Sequence, residues 1–154
     1  MSDKKRIISL DVGDKTIGIA LTDELQIIAQ GLETYERVGI KKDTDYIMSL
    51  IKEKDCGTCV IGLPLNLNDT DSVQTEKVRH FREKLENKLR SNGMSDIIID
   101  WQDERYSTVI AEEILIMADV SREKRKKVID KQAAVVILQS YLERMESLSK
   151  EGKE

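Results

Sequence analysis

The chain opens with short apolar runs separated by polar turns, and only later do apolar positions recur at helical spacing. Arg6–Val12 reads as a buried strand bounded by Gly13, Thr16–Thr22 as a second strand after a tight turn, and Ile27–Tyr35 as a third. Asp43 or Thr44 is the expected cap of a helix carrying Ile47, Leu50 and Ile51. Thr58–Leu63 is another strand, stopped by Pro64. Val78, Phe81, Leu85 and Leu89 recur at spacings of three and four, which predicts an amphipathic helix ending near Gly93. Ile97–Trp101 is a fifth strand, and Ser107 or Thr108 opens a helix through Ala118. A last helix carries Ala133, Ala134, Ile137, Leu138, Tyr141, Leu142 and Met145.

The predicted order is βββ-α-β-α-β-α-α. Short turns between the first three strands favour antiparallel pairing, and helical crossovers favour parallel pairing thereafter. The expectation is an α/β fold with a mixed five-stranded sheet and helices on both faces, the layout of the RNase H-like fold. A length of 154 residues suits one domain. Its expected extent is residues 1–148, with 149–154 as a frayed tail.

Composition narrows the chemistry. There is one histidine, His80, on the polar side of the Phe81 helix and expected to be solvated; triads and multi-histidine zinc sites have little to work with. Two cysteines cannot form a disulfide framework, and Cys56-Gly57-Thr58-Cys59 lies before a strand rather than opening a helix, so it reads as structural. Charge totals 25 basic against 29 acidic residues, a net of −4, which argues against nucleic-acid binding through overall charge and leaves room for a local basic patch. Aromatics, at 4%, are too sparse for base-stacking platforms. No apolar run approaches the ~20 residues of a membrane span, and a soluble, cytoplasmic protein without membrane partners is expected.

Carboxylates carry the candidate chemistry. Asp11 interrupts an apolar strand, where a charge is costly unless paired or metal-bound. Asp103 and Glu104 follow the fifth strand directly, although by themselves they could simply begin a loop. Asp130 lies between a basic run and the last helix, where a helix-dipole role is an ordinary alternative. Ala133 and Ala134 would let that helix approach the sheet and bring Asp130 toward Asp11. Convergence of the three would suit one or two Mg²⁺ or Mn²⁺ ions, which activate water and stabilise the leaving oxygen of a phosphodiester without histidine. Arg122, Lys124, Arg125, Lys126 and Lys127, just ahead of Asp130, would hold phosphates beside the metals, although most charge runs are solvated surface. Lys15, in the first turn, is a further phosphate candidate. Gly13–Gly18 matches half a phosphate loop, but Ile19-Ala20 follows where Lys-Ser/Thr is required. Actin-like kinases also use Asp-x-Gly after a first strand but need two domains.

These residues resemble a known family. Leu10-Asp11-Val12-Gly13 with Lys15 and Ile17-Gly18-Ile19-Ala20 is similar to the first motif of the YqgF family. Those are RuvC-like, RNase H-fold proteins described as pre-16S rRNA nucleases or Holliday junction resolvases. Val60-Ile61-Gly62-Leu63-Pro64-Leu65-Asn66 resembles the second motif, Asp103-Glu104-Arg105 with Ser107-Thr108 the third, and Asp130 with Ala133-Ala134 the last. The match spans about residues 6 to 142. The resemblance implies metal-dependent phosphodiester hydrolysis with Asp11, Glu104 and Asp130 as ligands, Asp103 as an alternate, and Arg105 beside the nucleic acid. RuvC resolvases carry a Glu on the strand that here reads Ile61-Gly62-Leu63-Pro64, which favours trimming of precursor ribosomal RNA over junction resolution. A ribosome-associated binding factor without catalysis is the reading from a different class. A monomer or a homodimer suits these expectations.

Overall fold

The computed structural model describes residues 5–64, 72–103 and 122–151, with side chains of the last helix from Lys131 to Ser149. Strands β1 (Arg6–Val12), β2 (Thr16–Thr22), β3 (Ala29–Glu36), β4 (Cys56–Leu63) and β5 (Ile98–Asp103) form one sheet in the order β3-β2-β1-β4-β5. β1–β2 and β2–β3 pair antiparallel, whereas β1–β4 and β4–β5 are parallel, as the connection lengths predict. β1 is therefore central.

Alternation along the strands makes two cores. Ile8, Leu10 and Val12 of β1, with Ile17, Ile19 and Ile61, pack against helices α1 (Ile40–Glu53) and α2 (Val73–Ser91). Ile7, Ala20 and Val60 point the other way, onto Ala134, Ile137, Leu138 and Tyr141 of helix α3 (Arg122–Glu151).

α3 crosses the strands along a single row of paired residues, Gly31–Ala20–Ser9–Val60–Asp100. Lys131 presses its aliphatic chain against Gly31, where a Cβ would meet Lys131 Cγ at 2.7 Å. Ser9 Oγ donates to the Ala134 carbonyl at 2.7 Å, and Tyr141 Oη donates to Asp100 Oδ2 at 3.1 Å. The helix thus crosses the sheet from the β3 side, where Lys131 meets Gly31, to the β5 side, where Tyr141 meets Asp100. Ala133 and Ala134, both wholly buried, permit this approach as expected. Replacing Ala134 with Leu should push α3 off Ser9 and cost about 1–3 kcal/mol. Urea denaturation of the folded protein will show it as a lower midpoint, and an unchanged midpoint would contradict the packing.

Several boundaries differ from the pattern-based reading. α1 begins at Ile40 after Gly39 (φ 137°), three residues ahead of the expected cap at Asp43, because Asp43 is buried and engaged elsewhere. β3 begins at Ala29, not Ile27, since Asp23 Oδ1 accepts the amide hydrogens of Ile27 and Ile28 at 2.7 and 2.9 Å and holds that segment as a turn. The C-x-x-C lies inside β4 rather than before it. α3 starts by Arg122 and continues to Glu151, so Asp130 is inside the helix, not at its start, and Ser149–Glu151 are helical. The expected helix from Ser107 through Ala118 lies outside the described residues. No helix among the described residues is long and apolar enough to cross a membrane.

Candidate active site

Asp11 occupies the penultimate position of the central strand, half-buried, on the face covered by α3, because it shares parity with Ile7 and Ser9. Its neighbours across the sheet lack side chains. Gly18 pairs with it on one side, and Gly62 of β4 lies level with it on the other, one residue beyond the Leu10–Ile61 pair. Thr34 pairs with Gly18, and Gln102 pairs with Gly62. Asp11 thus projects from a strip of bare backbone with a polar residue at each end, beside the row that α3 covers.

The turn that follows Asp11 is held from three directions. Gly13 N–H donates to the Thr16 carbonyl at 2.9 Å, and a Cβ on Gly13 would sit 3.0 Å from that oxygen. Arg37 Nη1 donates to the Gly13 carbonyl at 2.8 Å, and the Arg37 amide donates to the Lys15 carbonyl at 2.8 Å. Gln74 Nε2 of α2 reaches the Val12 carbonyl at 3.0 Å, and Lys77 pairs with Asp14 at 3.0 Å. Arg37 is anchored in turn by Asp43, whose Oδ2 accepts from Arg37 Nε at 2.8 Å. Asp43 Oδ1 accepts from the Val38 amide at 2.9 Å and from Tyr35 Oη at 3.1 Å. Burial pushes the Asp43 carboxyl up, but the Arg37 guanidinium and the hydrogen bonds from Val38 and Tyr35 outweigh it and hold the group below the ordinary value. The hydrophobic pattern gives neither Arg37 nor Gln74 a role and offers Asp43 or Thr44 as a cap. The available signal was an aspartate four residues before Ile47 and seven before Leu50, on the helix face that must meet the core.

The other expected residues divide into three groups. Asp103 ends β5 with the same parity as Ile99 and Trp101, which pack toward α1 and α2, whereas Asp100 bonds Tyr141 on the α3 side. Strand alternation therefore sets Asp103 on the face opposite Asp11. Lys15 is exposed in the turn after Asp11. Asp130 is one helical turn ahead of Ala134, whose carbonyl takes the Ser9 hydroxyl, and Ser9 is two residues before Asp11 on the same face. Arg122, Lys124, Arg125, Lys126 and Lys127 occupy the helix just before Asp130, with side chains outside the described residues; Glu104 and Arg105 lie outside them altogether. Among the described residues no three His, Cys, Asp or Glu side chains gather at one point.

The remaining reactive groups stay structural. Cys56 and Cys59 are buried and unbridged; burial pushes the Cys56 thiol up to about 12 and Cys59 higher still, so neither supplies a thiolate near neutrality. His80 is exposed on α2, as expected.

Residues 5–144 match the model of a protein family described as "RuvX: Holliday junction resolvase". The chain belongs to the RuvX family. A RuvX relative from Clostridioides difficile, named "Putative pre-16S rRNA nuclease", is 51% identical over 138 residues, covering 90% of this chain and 94% of its own. One of the same name from Desulforamulus reducens is 52% identical over 138 residues, covering 90% and 96%. Among solved structures, RuvC of T. thermophilus in complex with a Holliday junction substrate superposes with a TM-score of 0.55 at 9% identity, covering 92% of this chain and 96% of that one. The Fowlpox virus resolvase in its junction DNA complex gives 0.55 at 13% identity, covering 91% and 98%. The RuvX chain therefore has the RuvC-like, RNase H-like fold that the strand order predicted.

Proposed function

We propose that this chain is a divalent-metal-dependent endonuclease of the cytoplasm that hydrolyses phosphodiester bonds in structured RNA, maturing the 5′ end of precursor 16S ribosomal RNA. The observation that carries this reading is Asp11, a half-buried carboxylate at the end of the central strand, flanked on both sides by glycine. Charge at such a place is costly unless a cation or strong donors meet it. The names borne by relatives at about half identity supply the substrate class. One or two Mg²⁺ or Mn²⁺ ions would be held by Asp11, Glu104 and Asp130, polarising the phosphate and activating a water. Glu104 is taken as the ligand ahead of Asp103, which β5 sets on the face opposite Asp11. Arg105, Lys15 and the run Arg122, Lys124–Lys127 would contact the phosphates, so that binding weakens steeply with salt despite the net charge of −4.

Junction resolution is the second reading, supported by the family description and the fold. The lack of an acid in Ile61-Gly62-Leu63-Pro64, the strand on which RuvC resolvases carry a Glu, favours the RNA reading. A purified monomer or homodimer, given Mg²⁺ or Mn²⁺, should cleave a precursor-rRNA fragment and leave a four-way DNA junction intact. The reverse pattern would establish the resolvase reading, and RNA binding with no cleavage of either would establish a non-catalytic factor.

A further inference from the structure

The sheet runs out of donors at the end of β1, one residue after Asp11. Gly13 N–H donates to the carbonyl of Thr16, the first residue of β2. Val12, one residue earlier, therefore turns its own N–H and C=O the other way, toward β4. Parallel pairing sets Leu10 level with Ile61, so Val12 is level with Leu63 and aims its carbonyl at the amide of residue 64. That residue is Pro64, which has no N–H to give. Gln74, in the first turn of α2, takes the vacant role: its Nε2 donates to the Val12 carbonyl at 3.0 Å. The same turn closes the end of β4, because Ser72 Oγ and Thr75 Oγ1 both donate to the Pro64 carbonyl. One turn of helix thus finishes the two central strands where their ladder stops.

We propose that Gln74 is a positioning residue for the nuclease centre: by replacing the donor that Pro64 lacks, it fixes the end of β1 and with it the orientation of the Asp11 carboxylate. This rests on the nuclease reading above and adds to it a residue outside the carboxylate set. Gln74 belongs to the helix layer that covers Val12, whereas Asp11 shares the opposite face with Ile7 and Ser9. The amide therefore acts through the backbone and not on the substrate. With Gln74 on its carbonyl and Thr16 on its N–H, the Val12–Gly13 peptide is held at both ends. A glutamine that merely capped the strand would contribute to stability alone. One that positions Asp11 contributes to metal affinity and to kcat, since groups that orient a ligand set how well it binds its ion.

The test uses the full chain. Mn²⁺ affinity is measured by calorimetry without nucleic acid, and kcat and KM on a precursor-rRNA fragment in Mg²⁺, well below the melting temperature. Gln74→Met keeps the length of the side chain and loses the donor. It should weaken Mn²⁺ binding about tenfold and lower kcat by about 10–100-fold, with KM for the RNA unchanged. In an Asp11→Asn background the same substitution should have no further effect on Mn²⁺ affinity or residual cleavage, because it works through that carboxylate. Adding Pro64→Ala to Gln74→Met returns a strand N–H to the Val12 carbonyl and should recover most of the lost Mn²⁺ affinity. A lower melting temperature with Mn²⁺ affinity and kcat intact would overturn the proposal and leave Gln74 a stabilising cap. Undiminished effects in the Asp11→Asn background, or no recovery with Pro64→Ala, would overturn it as well. Each of these results leaves the nuclease reading standing while the parent protein binds Mn²⁺ and cleaves the RNA. A parent that does neither overturns that reading, and the role of Gln74 with it.

Discussion

Asp11→Asn is expected to lower metal-dependent cleavage by about 10³-fold or more while leaving the fold in place. Asparagine keeps the shape of the side chain and removes its charge. A carboxylate that anchors a catalytic cation supports several kcal/mol of transition-state stabilisation, and about 4 kcal/mol corresponds to that factor. The position is half-buried on β1 with Gly18 opposite. The variant should still unfold in one cooperative transition, since asparagine fills the same volume. Single-turnover cleavage of the precursor-rRNA fragment in Mg²⁺ and in Mn²⁺, with thermal unfolding alongside, reads both expectations. Full activity in the variant would dismiss Asp11 from the site, and with it the arrangement built around the central strand.

The sheet was largely legible because its information is local. Period-two alternation in β1 and β2, and turn residues at Gly13, mark elements whose neighbours in sequence are neighbours in space. Asp11 stood out for the same reason, as one charge in an apolar run. Boundaries failed where a side chain captured backbone groups: Asp23 holds the amides of Ile27 and Ile28, and no periodicity reveals this. Asp130 lies inside the helix and not at its start because the basic run 122–127, set ahead of the last helix by its charge, is itself helical, Lys and Arg being good helix formers. The Arg37 and Gln102 placements depend on pairings between segments remote in sequence, Gly13 with Arg37 and Gly62 with Gln102. Once the register is known, the side of the sheet on which Asp103 lies follows from counting.

The network beneath the Asp11 turn yields the largest expected effect on stability. Asp43→Ala should destabilise the protein by about 3–5 kcal/mol, the cost of breaking a buried ion pair and leaving its partner charged. That is a large share of the 5–15 kcal/mol typical of a domain. The Asp43 side chain is wholly inaccessible and that of Arg37 is 18% exposed, with the guanidinium also 5.4 Å from the centre of the Phe81 ring. Loss of the carboxylate strands Arg37, the Val38 amide and the Tyr35 hydroxyl together. Asp43→Asn, which still accepts at one oxygen, should cost less and permit study of the folded state. The pH dependence has a definite sign. Because the folded protein holds the Asp43 carboxyl below its ordinary value, its stabilisation is present above about pH 4, the unfolded value, and is lost as pH falls through the folded one. Urea midpoints of the parent and Asp43→Asn should differ most near neutrality and converge in acid; a gap independent of pH would remove the ion pair as the cause. The same variant should lose kcat at temperatures where it remains folded, because Arg37 is what carries the Asp43 anchor to the Gly13 carbonyl, two residues beyond Asp11.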